Sequence, residues 1–540
     1  MSLKEIDNII SQLKSGTYQW KPTRRTYRAK KNGKLRPLSV PPWSDKLLQE
    51  VLRMVLSAYY EPQFSKLSHG FRTGRGCHTA LQSIRRTWKG TKWFIEGDIK
   101  GCFDHIDHYK LLDIIGRNIK DERLLKLLRE MLEAGYLEDW QYHKTYSGAP
   151  QGGVISPLLA NIFLNELDTY IEQELIPTNT RGKRKNENPA YKHLTQQMRN
   201  AQKRGDIVQY RSLEKERRTL PCIDPFDPGY RRLKYVRYAD DFLLGVVGPK
   251  AEVIEIKQRL GEFLKTMGLK MSEEKTLITH ATNERARFLG YDIFMGKCDT
   301  RIINNRRTIN GMPTFSVPLE VVKDWEGRYQ RQGKPYHRTE LINNSDYDIV
   351  TIFNQEFQGL VNYYVLAYDV STKLDKVKWV FEQALVKTLA AKHKTSAPRI
   401  YRKYTRQLPN GRKAIVVEIP RKERKPLVAK FGGQPIRFAK DTVIYDRKPQ
   451  LLRKPNELVK RLLANQCELC GSTEDINVHH IHKLKDLKKR YAGQKTPPLW
   501  VQQMIRLRRK TLVVCAQCHQ AIHAGKYDGA KLATAYWRAE

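Results

Sequence analysis

The sequence predicts an α+β multidomain protein, and three observations carry that expectation. Helical and strand-like runs alternate through the first 300 residues, one of them an apolar stretch folded about two adjacent acids. A helical, aromatic-rich stretch follows, and residues 461–540 hold a Cys/His cluster. The chain has 540 residues, enough for about three to five domains. With 40% apolar residues it can bury real cores, so it is not disordered by composition.

Lys and Arg total 98 against 57 Asp and Glu, a net charge of +41. Such an excess repels itself in a compact fold unless a polyanion neutralises it. Nucleic acid is the natural partner, because each contacted phosphate releases counterions. The excess runs through the whole chain and not one tail, which weighs against mere solubility or an acidic membrane surface. No apolar run reaches about 18 residues, so no membrane span is expected. The N-terminus lacks a secretion-signal pattern. The expected location is a bacterial cytoplasm or an organelle, without secretion.

Taken in order, residues 1–30 are basic with a helical start, and Asn32-Gly33 marks a tight turn. Leu47, Leu48, Val51, Leu52 and Val55 recur at helical spacing and predict a helix over 45–60. Residues 92–99 predict a strand ending in an acid, 109–135 a helix, and 157–175 a helix opened by Pro157. The highly charged stretch 178–222 reads as a surface insertion, partly helical. Residues 234–247 read as a hairpin with an acidic tip, 251–268 as a helix and 286–295 as a strand pair. Residues 318–395 are helical and 405–460 suggest a small irregular basic module. Cys77, Cys102, Cys222 and Cys298 are scattered and read as ordinary reduced thiols.

The sharpest signal is Tyr238-Ala239-Asp240-Asp241 between two apolar runs. Adjacent carboxylates at a hairpin tip repel each other and become useful around divalent cations; Mg²⁺ prefers carboxylate, water and phosphate oxygens. Asp98 ends an earlier apolar strand. Strands side by side would bring it to Asp240, where two metals about 4 Å apart could activate a primer 3′-hydroxyl and stabilise a leaving pyrophosphate. Two unrelated surface turns are the bland alternative.

Together these stretches resemble a reverse transcriptase, and the order of motifs is similar to that of the group II intron maturase family. Leu35-Arg36-Pro37-Leu38 and Gly70-Phe71-Arg72 resemble its fingers motifs. Asp98, Gly148-Ala149-Pro150-Gln151-Gly152, Tyr238–Asp241 and Lys275 follow in the order of its palm motifs, with Phe288-Leu289-Gly290 in the segment that supports the primer end. The resemblance implies a right-hand polymerase: fingers and palm over 1–300, with 178–222 inserted, and a helical thumb over 301–404. It implies a metal-ligand triad of Asp98, Asp240 and Asp241 binding two Mg²⁺. Phe103 stands as a steric gate against ribose, with core packing as its alternative. Gln151 stands under the incoming base pair. Lys30 and Arg36 stand as triphosphate-binding cations, Arg by its fork of donors. Lys275 stands as general acid for pyrophosphate departure, or as a solvated lysine. Thirty-four residues precede Leu35, fewer than the family usually carries; the start is truncated or misassigned, or the template lid is lacking.

From Gly359 to Lys394 the chain is helical, aromatic on one side and basic on the other. That suits RNA or plain core packing equally. The pattern resembles the maturase region called domain X, which implies binding of the parent intron RNA to assist splicing. Residues 405–460, including Lys425–Gly433, resemble a DNA-contacting segment or a basic linker.

Cys467-x-x-Cys470 and Cys515-x-x-Cys518 have the spacing of a four-thiolate structural Zn²⁺ site; disulfides, the alternative, are disfavoured inside cells. His479-His480 lies between the pairs, and His519 and His523 share a helix face at i, i+4. The unit over 461–540 resembles a zinc-supported ββα-metal HNH nuclease, with a zinc-ribbon DNA binder as its rival. The resemblance implies His480 as general base and His479, His519 and His523 around one catalytic divalent cation. Thr511 stands where the family's central Asn is expected. The whole implies a ribonucleoprotein with group II intron RNA that takes dNTPs and target DNA, nicks the DNA and primes reverse transcription there. An intron-independent retroelement polymerase and a splicing-only maturase are the other readings.

Overall fold

The computed structural model describes residues 3–29, 33, 35–224, 227–298, 302–303, 306–307, 310–421, 424–444, 461, 464–481, 484–492, 496–506 and 510–524. The chain divides into two compact units: Lys21–Asp121 with Met131–Lys448, and Met1–Trp20 with Glu122–Glu130 and Pro449–Glu540. Among the described residues no helix is long and apolar enough to cross a membrane.

In the larger unit a four-stranded antiparallel sheet takes the order Arg232–Tyr238, Asp241–Val247, Trp93–Asp98, Ile278–His280. Its inner strands, Trp93–Asp98 and Asp241–Val247, are apolar and almost wholly buried, as central strands covered on both faces must be. The acids stand at their ends. Gly97 makes the fit possible: a Cβ there would lie 2.0 Å from the Phe242 ring. A second sheet joins the hairpin Thr23–Ala29/Leu35–Val40 to Tyr136–Glu138 and Gln141–His143. The charged insertion forms two paired helices, Pro189–Lys203 and Ile207–Arg217, as its composition suggested.

Two expectations, the single helix over 109–135 and the irregular module over 405–460, are corrected. The helix Trp43–Tyr60 forms as expected, with Leu48, Leu52 and Leu56 facing the core and Leu47, Val51 and Val55 facing outward. Apolar residues occupy both sides of this helix, so spacing alone could not choose the buried one. The stretch 109–135 is two helices, His108–Asn118 and Glu122–Glu133; Ile119 is extended (φ −114°, ψ 106°) and ends the first. The segment after residue 404 is a regular antiparallel sheet: Thr405–Gln407, Lys413–Arg421 and Arg424–Gly432. It packs on the helix Asp346–Tyr363. Phe431 closes a ring cluster with Phe357 and Phe381, its ring parallel to that of Phe381 with centres 6.5 Å apart. Lys413, Lys425 and Lys430 are exposed on the sheet, while Ala414–Val417, Ala429 and Phe431 are buried. Residues 445–460 lie outside the described residues.

The smaller unit pairs Ile476–His480 with Thr511–Cys515 and continues into the helix Ala516–His523. Val501, Met504, Leu512, Val513 and Val514 form its core.

Candidate active sites

The central hairpin turns at Ala239-Asp240, with Ala239 in the left-handed region at φ 56°. Asp241 then begins the return strand directly opposite Asp98. Asp98, Asp240 and Asp241 therefore meet at one end of the sheet. Burial first, then the neighbouring carboxylates, push the Asp240 and Asp241 carboxyl groups above the ordinary range. Arg36 and Lys275 partly offset this at Asp240, so both cations bear on the cluster. Lys275 Nζ lies 2.9 Å from Asp98 Oδ2. Its turn is strapped to the end of the strand, because the Ser272 amide donates to the Asp98 carbonyl at 2.8 Å. Three oxygen-donor groups that repel one another fit hard divalent cations, which would relieve that repulsion.

A buried pair that the sequence reading missed holds this turn. Arg237 is fully buried and donates to both Asp168 oxygens, at 2.7 and 2.6 Å, and to the Ala239 carbonyl at 2.8 Å. Tyr235 donates to Asp168 at 2.7 Å. The available signal was an arginine three residues before the acid pair. Gly70, from the motif Gly70-Phe71-Arg72, also abuts the turn: a Cβ there would lie 2.4 Å from the Ala239 amide nitrogen.

The remaining candidates gather around this end. Phe71, at φ 60°, meets the half-buried Phe103 edge-on with ring centres 6.3 Å apart. Phe103 sits in the turn Cys102–Asp104, and its carbonyl accepts from the Ala149 amide at 2.8 Å. Gln151 Nε2 donates to Asp104 Oδ1 at 2.9 Å, and the Ser39 amide donates to the Gln151 carbonyl at 2.6 Å. The 148–152 loop thus bridges the Phe103 turn to the strand bearing the exposed Arg36. Lys30 lies outside the described residues.

In the smaller unit the ligand atoms of Cys467, Cys470, Cys515 and Cys518 lie within 4.8 Å of one another. Cys470 Sγ and Cys515 Sγ are 3.6 Å apart, close to the roughly 3.8 Å edge of a tetrahedron with Zn–S near 2.3 Å. The Cys470 and Cys518 amides point at Cys467 Sγ and Cys515 Sγ, at 3.5 and 3.4 Å. All four thiols are unbridged. The donor set fits zinc.

His479, His519 and His523 form a second cluster within 4.8 Å. His479 is 5% exposed, and neither ring nitrogen finds a hydrogen-bond partner among the described residues. Burial and the three neighbouring histidines push it down to about 4, so it is neutral near pH 7 and able to ligate. A cation would satisfy these orphaned nitrogens. His480, next along the strand, is exposed and stands apart from the trio. It pairs in register with Thr511, whose carbonyl accepts from Arg461 at 3.1 Å.

Comparison with known proteins matches separate stretches of the chain to separate families. The model of the reverse transcriptase (RNA-dependent DNA polymerase) family matches residues 28–293. That of the type II intron maturase matches 321–436, and that of the AI2M/AI1M-like HNH endonuclease matches 467–519. The chain is 39% identical over 554 residues to the group II intron-encoded protein LtrA of Lactococcus lactis subsp. cremoris, covering 97% of this chain and 90% of that one. It is 31% identical to the COX1/OXI3 intron 1 protein of Saccharomyces cerevisiae, over 98% of this chain and 65% of that one. It is 33% identical to protein YkfC of Escherichia coli, over 59% and 77%. The chain belongs to the group II intron-encoded proteins, as a reverse transcriptase and intron maturase that carries an HNH endonuclease domain.

Proposed function

We propose that the two sites act in succession on one DNA target. The HNH domain nicks a strand and leaves a 3′-hydroxyl; the carboxylate site extends that primer along intron RNA reverse-spliced into the other strand. The observation that carries this reading is the meeting of Asp98, Asp240 and Asp241 at one sheet end. Two Mg²⁺ held there would supply Lewis-acid activation of the primer hydroxyl and stabilise pyrophosphate. Lys275 protonates the departing pyrophosphate, Arg36 and Lys30 hold the triphosphate, Phe103 excludes a 2′-hydroxyl, and Gln151 supports the new base pair.

In the nuclease, Cys467, Cys470, Cys515 and Cys518 hold a structural Zn²⁺. His479, His519 and His523 hold the catalytic cation, and His480 draws the proton from water. Residues 1–300 serve as fingers and palm with 178–222 inserted, 301–404 as thumb and domain X, 405–460 as a basic DNA-contacting segment, and 461–540 as nuclease. The partners are the parent intron RNA, target DNA and dNTPs, in a bacterial cytoplasm or an organelle.

Asp240→Asn is expected to abolish primer extension on an RNA template, and His480→Ala to abolish nicking of target DNA. Splicing of the host intron should survive both, since it draws on RNA binding. Intact extension in the first variant, or intact nicking in the second, removes the corresponding assignment.

A further inference from the structure

A cavity of about 330 Å³ opens where the strand Trp93–Asp98 begins, at the opposite end from the carboxylates. At about 3.3 Å per residue the two strand ends stand roughly 17 Å apart. Lys92, Lys185 and Lys250 line it together with Trp93, Tyr230 and His280. Lys185 belongs to the charged insertion, which a backbone bridge between Arg181 and Arg231 pins beside the sheet.

The lining combines cations with aromatic faces. Lys185 Nζ lies 5.6 Å from the centre of the Tyr230 ring and Lys250 Nζ 5.7 Å from that of Trp93. His280 meets Trp93 edge-on at 4.8 Å. Its Nδ1 accepts from the Asn283 amide at 3.3 Å, which leaves Nε2 as a donor. Two nearby carboxylates are already engaged, and a third, Asp224, offsets part of the charge of Lys92 and Lys185. Asp227 accepts from the Asn186 and Gly229 amides at 2.7 and 2.8 Å, and Glu252 takes Arg231 Nε at 2.7 Å. Burial, then the charge of Lys92, hold the Lys185 ammonium below the usual lysine range. Burial lowers Lys92 as well; Asp224 works against this and Arg231 adds to it. Gathering these cations costs the fold free energy that a bound anion would return.

We propose that this cavity is a binding site for a nucleoside phosphate, its phosphate held by Lys92 and Lys185 and its base laid against Trp93 or Tyr230. The volume stands at the small end of the ~300–1,000 Å³ typical of ligand sites and suits one nucleotide unit. A free nucleotide and one residue of an RNA strand present the same chemistry.

The test uses the full-length protein in magnesium-free buffer, where the cation-dependent polymerase site contributes little. Radiolabelled adenosine 5′-monophosphate is measured by equilibrium dialysis with inorganic phosphate as competitor. In parallel, a single-stranded oligoribonucleotide is photo-crosslinked and the attached peptide mapped. Saturable binding of the mononucleotide, weakly displaced by phosphate and weakened about tenfold by Lys185→Glu and by Trp93→Leu, identifies a free-nucleotide site. A crosslink at Trp93 or Tyr230 that Lys185→Glu removes, without mononucleotide binding, identifies an RNA strand as the source. In both cases Lys185→Glu should leave primer extension on a short template unchanged. Absence of both signals, or signals indifferent to both substitutions, overturns the proposal.

Discussion

Arg237 lies fully buried because its charge is answered by Asp168 and its remaining donors by Asn161 and the Ala239 carbonyl. Asp168 takes two of its nitrogens and the Ala239 carbonyl accepts at the turn that presents Asp240. Removing one member of such a pair leaves the other buried and uncompensated, at a cost of roughly 3–5 kcal/mol. Arg237→Met should therefore lower the unfolding free energy of the larger unit by that amount and abolish primer extension; a variant of unchanged stability would show that the pair does not hold the turn. The acids themselves carry a pH signature. Burial and mutual repulsion raise Asp241 above its unfolded value. A raised carboxyl contributes stability that is full at acid pH and lost as pH rises through the folded value. In magnesium-free buffer Asp241→Asn should thus raise the melting temperature at pH 8 and raise it less at pH 5, which lies below the folded value of about 7. Equal shifts at both pH values would contradict the electrostatic account.

At the scale of elements, strand packing sets the geometry. Gly97 admits the Phe242 ring where any Cβ would collide with it, and overpacking of this kind costs roughly 1–3 kcal/mol. Gly97→Ala should show that loss in equilibrium unfolding and displace Asp98, so that activity falls more than stability. The elements around this site were legible in the sequence. The Trp93–Asp98 strand, the acid-tipped hairpin and the paired Cys and His residues all declare themselves through local pattern and fixed spacing. Elements whose identity depends on distant partners were not. The outward face of Trp43–Tyr60 is nearly as apolar as its inward face, and the sheet after residue 404 becomes apolar only against Phe357 and Phe381. Asp168 and Asn161 were illegible because each lies far along the chain from Arg237, the group it serves.

At the scale of the molecule, the two compact units hold different chemistry on different supports. The larger has an extended apolar core; the smaller has a modest one, joined to a four-thiol cluster. Small domains of that kind draw much of their folding free energy from metal. A zinc-selective chelator, or Cys470→Ser, should therefore melt the nuclease and end DNA nicking while primer extension persists. Loss of both activities together would show that the polymerase depends on the zinc cluster.

The rings of Phe357, Phe381 and Phe431 set a lower limit on how far this protein can be shortened. A polypeptide ended at Tyr404 would strip the cover from two helices and leave benzyl groups facing water, a surface that invites aggregation. The smallest soluble fragment that keeps the maturase bundle should reach past Gly432, whether or not the nuclease is retained.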